Sequence, residues 1–460
     1  MEKPQELFQG SPLSTGMTAR QFHILHSPKC NGTASADSKK YLLTLGVKIV
    51  DNPQPIQFLP NTDEPVHRWS PYVQGFSASF VQRTLTKYKA KYKTPKVLDP
   101  FAGCGTVMVQ AKLQGIPSLG LELNPLLKFI AETKLNSWMV NPDALSKIVR
   151  SLVTNHKSEA PEFLKSNQHF NPGVLNNLER IKGGIDYFTP ATEEEKPIKD
   201  LMNLAFAAIL VDCSNLKRSP CLGYSRNKFV HDSVPFRLFN SKISEIAQDL
   251  RLLQTRFVDS MKTYAKMKLA DSTSYQYRDC YDLVVTSPPY MNGLDYVMNY
   301  KIEMGWLGFA QNHKELKKVK DNLVVCDNVS KGLIREFASK DDRYSNDWIE
   351  NIKDQVYGNI LRRGAYRRPD MPEIIHKYFD DLHKVIQNIS LALNRGGRFI
   401  LVVGDSLIAD VYVPTDLILA RIGRELGFTI ERIEKARERR SGQIRTYKLR
   451  ETIITLLKEF

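Results

Sequence analysis

The stretch "VLDPFAGCGTVMVQAKLQGIPSLGLEL", residues 97–123, holds one full turn of a strand–helix repeat. Val97 and Leu98 begin a short strand that ends on Asp99. "FAGCGT" is a glycine-rich turn, "VMVQAKLQG" a helix closed by Gly115, and "SLGLEL" a second strand carrying Glu122 near its end. Glycines at 103 and 105 let a backbone pass close to a ligand without a Cβ clash, and an acid about 20 residues on commonly takes a ribose diol. The spacing departs from the dinucleotide fingerprint G-x-G-x-x-G, because Met108 stands where the third glycine belongs. Two acids, Asp99 and Glu122, suit a cationic ligand better than a pyrophosphate. A tight strand–helix turn alone would explain the glycines, but not the two acids in register with it.

The rhythm continues outward. "NPLLKFIAETKLNSW" (124–138) predicts a helix with Pro125 in its first turn, and about 100 residues then interrupt the repeat. Within them "LMNLAFAAILVDCSNLKRSP" reads as a buried helix ending in a basic turn. The repeat resumes with an amphipathic helix over 243–265, the strand "KMKLAD" and the strand "YDLVVTS". After a polar interruption it closes with helix, strand "GRFILVVGD", helix, strand "FTIERIEKA" and strand "ETIITLLK". Strands alternating with helices predict an α/β fold with an open, mostly parallel sheet. The last two strands have only a basic loop between them, so the final one is expected to return antiparallel. The expected division is an N-terminal segment 1–60, the sheet domain in three parts (61–140, 243–307 and 373–460), and insertions at 141–242 and 308–372. Residues 41–60 read as short strands and turns. Phe76, Phe80, Val81 and Leu85 are placed to share a helical face.

A net charge of +15, from 65 Lys and Arg against 50 Asp and Glu, points to a polyanionic partner. The six cysteines form no C-x-x-C pair, so neither a zinc site nor a disulfide framework is expected, and a reduced, cytosolic compartment is the default. No apolar run approaches the roughly 18 residues that span a bilayer, and no signal-peptide core is visible near the N-terminus. No membrane and no metal are expected.

The strand at 281–286 stops on Ser287-Pro288-Pro289-Tyr290, and proline cannot continue a central strand. A simple terminator would account for the prolines but not for their pairing with the glycine turn upstream. "DPFAGCGT" together with "TSPPY" resembles the paired motifs of the S-adenosylmethionine-dependent DNA amino-methyltransferases. That resemblance covers roughly 70–140, 243–305 and 373–460. It implies a Rossmann-like methyltransferase sheet, S-adenosylmethionine as cofactor and double-stranded DNA as substrate. A cognate restriction endonuclease is the implied partner. The order, cofactor motif first, is permuted relative to many serine-type members.

The resemblance also assigns residues. Ser287, Pro288, Pro289 and Tyr290 form the catalytic motif. The Ser287 hydroxyl and the Pro288 carbonyl would accept the two N–H bonds of an exocyclic amino group, while Tyr290 stacks on the flipped base. Asp99, Phe101, Gly103, Gly105, Thr106 and Glu122 belong to the cofactor turn. Asp271 matches the acid that meets the adenine amino group, and Phe76 and Ser77 match the other cofactor segment. Serine at 287 points to N4 of cytosine, with N6 of adenine or an RNA base as alternatives. DNA contacts are expected from the insertions, through Arg218 and Arg363, and from the basic loop 437–450, whose Arg437, Arg439, Arg440 and Arg445 are expected on the DNA backbone. Gly404 and Asp405 are expected beside the pocket.

Overall fold

The computed structural model describes residues 33–459 apart from 73–74, 166–167, 220, 292, 294, 325–328, 364–367, 443 and 445. Its strands in chain order are β1 (Ile49–Asp51), β2 (Val97–Asp99), β3 (Ser118–Glu122), β4 (Leu216–Arg218), β5 (Leu222–Tyr224), β6 (Ala265–Leu269), β7 (Tyr281–Thr286), β8 (Leu393–Gly404), β9 (Ser406–Ile408), β10 (Val411–Val413), β11 (Phe428–Arg440) and β12 (Lys448–Lys458). Eight of them form one sheet in the order β1-β11-β12-β8-β7-β2-β3-β6. Strands β6, β3, β2, β7 and β8 run parallel, and β12 is antiparallel to both β8 and β11. This is a doubly wound α/β sheet with the antiparallel return expected of its last strand.

Side-chain alternation along the strands divides the interior in two. Ile400 and Val402 of β8 join the core on one face, whereas Phe399, Leu401 and Val403 join the core on the other. The first core takes in helices Ala78–Lys91, Thr106–Leu113, Pro125–Asn136, Lys196–Cys213 and Val234–Arg256. The second takes in Asp347–Arg363, Met371–Ala392 and Thr415–Glu425. The two stretches expected as insertions are therefore built into the two faces. Leu178, Leu201 and Phe206 share the first core with Val97, and Ile349, Ile352 and Val356 share the second with Leu98.

Three local readings differ from expectation. The helix expected from 243 begins at Val234, with Pro235 in its first turn, so the 242/243 division falls inside a continuous helix. Residues 39–45 form a helix before the short strand β1. Finally, half of the basic loop 437–450 is strand. β11 runs to Arg440 and β12 starts at Lys448, and Arg437 lies opposite Glu451 in the ladder. Charges on that hairpin mark ion-paired strands rather than a solvated loop. Among the described residues no helix is long and apolar enough to cross a membrane.

Candidate active site

The parallel strands deliver their carboxyl ends to one edge of the sheet, and a cavity lies there. Phe101, Gly103 and Thr106 after β2, Glu122 at the end of β3, Asp271 after β6, and Ser287 and Pro289 after β7 all line it. The two turn glycines adopt left-handed φ values of 52° and 86°. A Cβ on Gly103 would stand 2.9 Å from the Tyr72 hydroxyl, and one on Gly105 would stand 2.9 Å from the Ala131 Cβ. Larger residues are thus excluded by backbone conformation and space together. Gly105 caps the following helix and shapes the turn from behind, outside the lining.

Glu122 is locked to this turn. Its Oε2 accepts from the Gly103 N–H at 2.9 Å and its Oε1 from the Asn124 N–H at 2.7 Å. Burial pushes its carboxyl up to about 7 against those bonds, which pull it down. Asp99 is also pushed up to about 7 by burial, with Glu122 adding to the rise, while bonds from Thr286 and Phe101 lower it. It stands behind the lining rather than in it. Its Oδ1 accepts from the Thr286 hydroxyl at 2.6 Å and the Phe101 N–H at 3.0 Å, which ties β2 to β7. Its Oδ2 is buried with no partner among the described residues. Asp271 accepts from the Thr273 N–H at 2.9 Å and so points back over its own turn.

These shifts carry a pH dependence. Both carboxyls have folded values near 7, above their ordinary ones, so the folded chain holds protons that the unfolded chain has released between about pH 4 and 7. Stability is fully present below that window and falls as pH rises through it, by at most about 1.4 kcal/mol per unit and per group. The unliganded protein is expected to melt at a lower temperature at pH 8 than at pH 6, with the difference reduced in Asp99→Asn. A melting temperature that is flat in pH would refute it.

A second cavity adjoins the first on the other side of the Ser-Pro-Pro-Tyr segment. Pro288 and Tyr290 line it with Ile56, Phe58, Val402, Arg437, Arg439 and Glu451. Five residues, Tyr72, Gly75, Phe76, Ser287 and Tyr296, line both cavities. The motif is held firmly between them. The Tyr378 hydroxyl donates to the Pro289 carbonyl at 2.9 Å, and Tyr290 lies so close over Gly404 that a Cβ there would meet its ring at 2.9 Å. Neither the Ser287 hydroxyl nor the Pro288 carbonyl has a hydrogen-bond partner among the described residues. Two acceptors without a partner among the described residues therefore sit beside the cavities, Ser287 lining both and Pro288 the second.

Of the expected site residues, Phe76, Phe101, Gly103, Thr106, Glu122, Asp271, Ser287, Pro288, Pro289 and Tyr290 are brought together. Ser77 is not. It is fully buried, and its Oγ caps the helix Ala78–Lys91 by accepting from the Phe80 N–H. Asp405 lies behind the second cavity, where its carbonyl accepts from Arg439, while its carboxylate is buried in an ion-paired cluster with Arg450 and Asp416.

The expected DNA contacts divide further. Arg218 is no surface cation. It pairs with the buried Glu303 at 2.7 Å, donates to the Asn299 carbonyl and lies 4.4 Å over Tyr300. Arg363 is paired with Asp410, and Arg437 holds Glu451 and lines the second cavity. Arg440 is exposed, and Arg445 lies outside the described residues. No cluster of three or more His, Cys, Asp or Glu with metal-ligand geometry occurs among the described residues.

Sequence reasoning missed the wall shared by the two cavities. Tyr72 stacks on Tyr300 with centroids 6.0 Å apart and meets Phe58 edge-on at 5.7 Å, which places it over the glycine turn. Asp295 and Lys320, paired at 2.7 Å, close the far side of the first cavity. Tyr72 belongs to no helix or strand, so no periodicity marks it.

No family model matches the chain. It is 24% identical over 418 residues to the Type II methyltransferase M.AvaI of Nostoc sp., with 82% of each protein covered. Identity is 20% over 452 residues to the Type II methyltransferase M.BsoBI of Geobacillus stearothermophilus, covering 88% of this chain and 86% of that one. M.MvaI of Kocuria varians, also a Type II methyltransferase, is 22% identical over 417 residues. Two solved structures, TrmN from Thermus thermophilus and a TehB-like SAM-dependent methyltransferase from Corynebacterium glutamicum, are each 10% identical with TM-scores of 0.27. They match 82% and 92% of this chain, which spans 48% and 96% of theirs, and at that score they carry no weight for the site. The chain is thus similar, over more than four fifths of its length, to Type II methyltransferases, and it presents two joined cavities at the carboxyl edge of its sheet.

Proposed function

We propose that this chain is an S-adenosylmethionine-dependent DNA methyltransferase of a restriction–modification system, which methylates N4 of a cytosine flipped out of double-stranded DNA. The observation that carries the reading is the pair of acceptors without a partner among the described residues, Ser287 Oγ and the Pro288 carbonyl, beside two adjoining cavities. The similarity to Type II methyltransferases supports it independently.

The first cavity fits the cofactor. Glu122 offers a carboxyl group at the end of β3, and the Gly103 turn clears space that a side chain would fill. When bound, S-adenosylmethionine supplies an electrophilic methyl group. The protein's part is to prepare the amine. An exocyclic amino group is a poor nucleophile because its lone pair is conjugated into the ring. Ser287 and Pro288 accept its two N–H bonds and favour a pyramidal nitrogen, whose lone pair then points toward the first cavity. The prolines and the Tyr378 bond fix the acceptors beforehand, so little reorganisation accompanies reaction. Transfer leaves one proton in excess on the nitrogen, which passes to the Ser287 hydroxyl that holds it, while that hydroxyl gives up its own proton to water. Tyr290 offers a face on which the extruded base stacks.

The test is incubation of the protein with methyl-labelled S-adenosylmethionine and unmodified mixed-sequence DNA, followed by mass spectrometry of the nucleosides. N4-methylcytosine is the expected product. N6-methyladenine would keep the enzyme class and overturn the base assignment, and label absent from DNA would overturn both.

Phosphate contacts are proposed at exposed cations such as Arg440. Arg440→Gln is expected to weaken binding to all sequences alike and to reduce the slope of log K against log salt by about 1. Arg218→Met is expected to lower the melting temperature instead, because it strands the buried Glu303. Fluorescence anisotropy across a salt series separates the two, and an unchanged slope for Arg440→Gln would count against the contact.

A further inference from the structure

The wall of the second cavity opposite the acceptor pair is built from the β11–β12 hairpin and is unusually charged for a buried surface. Glu451, nearly buried, lies across the ladder from Arg437 and accepts from both its Nε and its Nη2. Two residues along β11, Arg439 projects from the same side of the strand. Its Nη2 donates to the Asp405 carbonyl at 2.6 Å, and its guanidinium lies 5.9 Å from the Tyr290 ring centroid. Its Nε is buried and has no hydrogen-bond partner among the described residues. The Glu451 Oε1 is 3.6 Å from it, beyond hydrogen-bond reach. A cation is therefore anchored at one end, braced by Glu451, and left with an unmet donor beside the ring proposed to carry the base.

We infer that Arg439 is a base-reading residue, which donates to the N3 and O2 acceptors of a cytosine stacked on Tyr290. This rests on the methyltransferase reading and deepens it by naming what selects the base. The Watson–Crick edge of cytosine presents a donor, an acceptor and an acceptor in a row: the N4 amino group, N3 and O2. Ser287 and Pro288 accept at the first position, and a guanidinium fork donates to the other two, a match a lysine cannot reproduce. Adenine presents its amino group and N1, but then a C–H, so one donor of the fork would face carbon. A buried donor left unpaired discriminates strongly, and a site built to hydrogen-bond a substrate rejects an analogue lacking the partner by large factors. Arg437 and Glu451 act as positioning residues for this fork.

The experiment compares wild type with Arg439→Met on mixed-sequence DNA, alongside calorimetric binding of S-adenosylhomocysteine to each. N4-methylcytosine is expected from wild type. The variant is expected to lose at least 10-fold in kcat/KM while binding S-adenosylhomocysteine within about 2-fold of wild type. Once the methylated position is mapped, wild-type protein is assayed on a duplex carrying 3-deazacytosine there, which replaces the N3 acceptor by C–H. A loss of 10-fold or more is expected, and this arm needs no variant to fold. Unchanged rates on the 3-deaza duplex, or an unimpaired Arg439→Met, would overturn the inference and leave the methyltransferase reading intact. N6-methyladenine from wild type would overturn it in the same way, whereas absence of any DNA product would overturn both.

Discussion

Ser287→Ala is expected to lower the rate of methyl transfer by about 10²–10³ while leaving binding of S-adenosylhomocysteine within 2-fold. The magnitude follows that for removing one preorganised hydrogen-bonding group from a site where charge develops. Ser287 is half-buried, lines both cavities and stabilises no neighbour by a hydrogen bond among the described residues, so its hydroxyl can be removed without disturbing the fold. The Pro288 carbonyl would remain as a single acceptor and leave one N–H of the amine unmatched. Tyr290→Ala is expected to act differently. It opens space above Gly404 and removes the stacking face, raising KM for DNA more than it lowers kcat. Single-turnover rates, with S-adenosylhomocysteine titrated in parallel, separate the two. If Ser287→Ala transferred methyl groups at the wild-type rate, the acceptor mechanism would fall.

The largest effect on stability is expected from Arg450→Met, at about 3–5 kcal/mol. Arg450 is buried on β12. Its Nε and Nη2 lie 3.1 Å from Asp405, its Nη2 3.2 Å from Asp416 and 2.6 Å from the Tyr412 hydroxyl, and its Nη1 2.8 Å from the Ser38 hydroxyl. Burial pushes the Asp405 carboxyl well up and Asp416 adds repulsion, while Arg450 opposes the rise. Removing the guanidinium leaves two adjacent buried carboxylates with no cation between them. Chemical denaturation should show the loss at pH 7 and a smaller one at low pH, where the carboxyls can protonate. A change below 1 kcal/mol would show that the cluster is not coupled as the distances imply.

The strand that stops at Ser287 and the glycine turn were legible in the sequence because each imposes a rule that few residues satisfy. Glycine is strongly favoured at the left-handed conformation of Gly103 and Gly105, and Pro288 and Pro289 cannot continue a central strand. Glu122 followed from its distance along the chain to that turn. The hairpin was misread for an equally physical reason. "KARERR" looks like a solvated run, but in β11 its charges alternate with the pleat, and Arg437 meets a buried glutamate that is 14 positions away. Cross-strand neutralisation has no local signature. Arg218 was misjudged in the same way, since Glu303 is remote in sequence, and the pairing of Arg363 with Asp410 has no local signature either. Ser77 was taken for a ligand contact because a serine before an apolar helix fits either role, and the cap won. Tyr72 could not be found at all, because its position depends on Tyr300 and Phe58 and on no pattern of its own.

The wall common to both cavities has a pharmacological consequence. Among the described residues, Ser287, Gly75 and three aromatic side chains, Tyr72, Phe76 and Tyr296, line both compartments, so a single molecule that reached past them would contact both. A compound that joins an adenosyl amino acid to the N4 of cytosine through a short tether would gain the second contact at high effective concentration. On the proposed function, tether length would then become a ruler for the distance between the two bound groups.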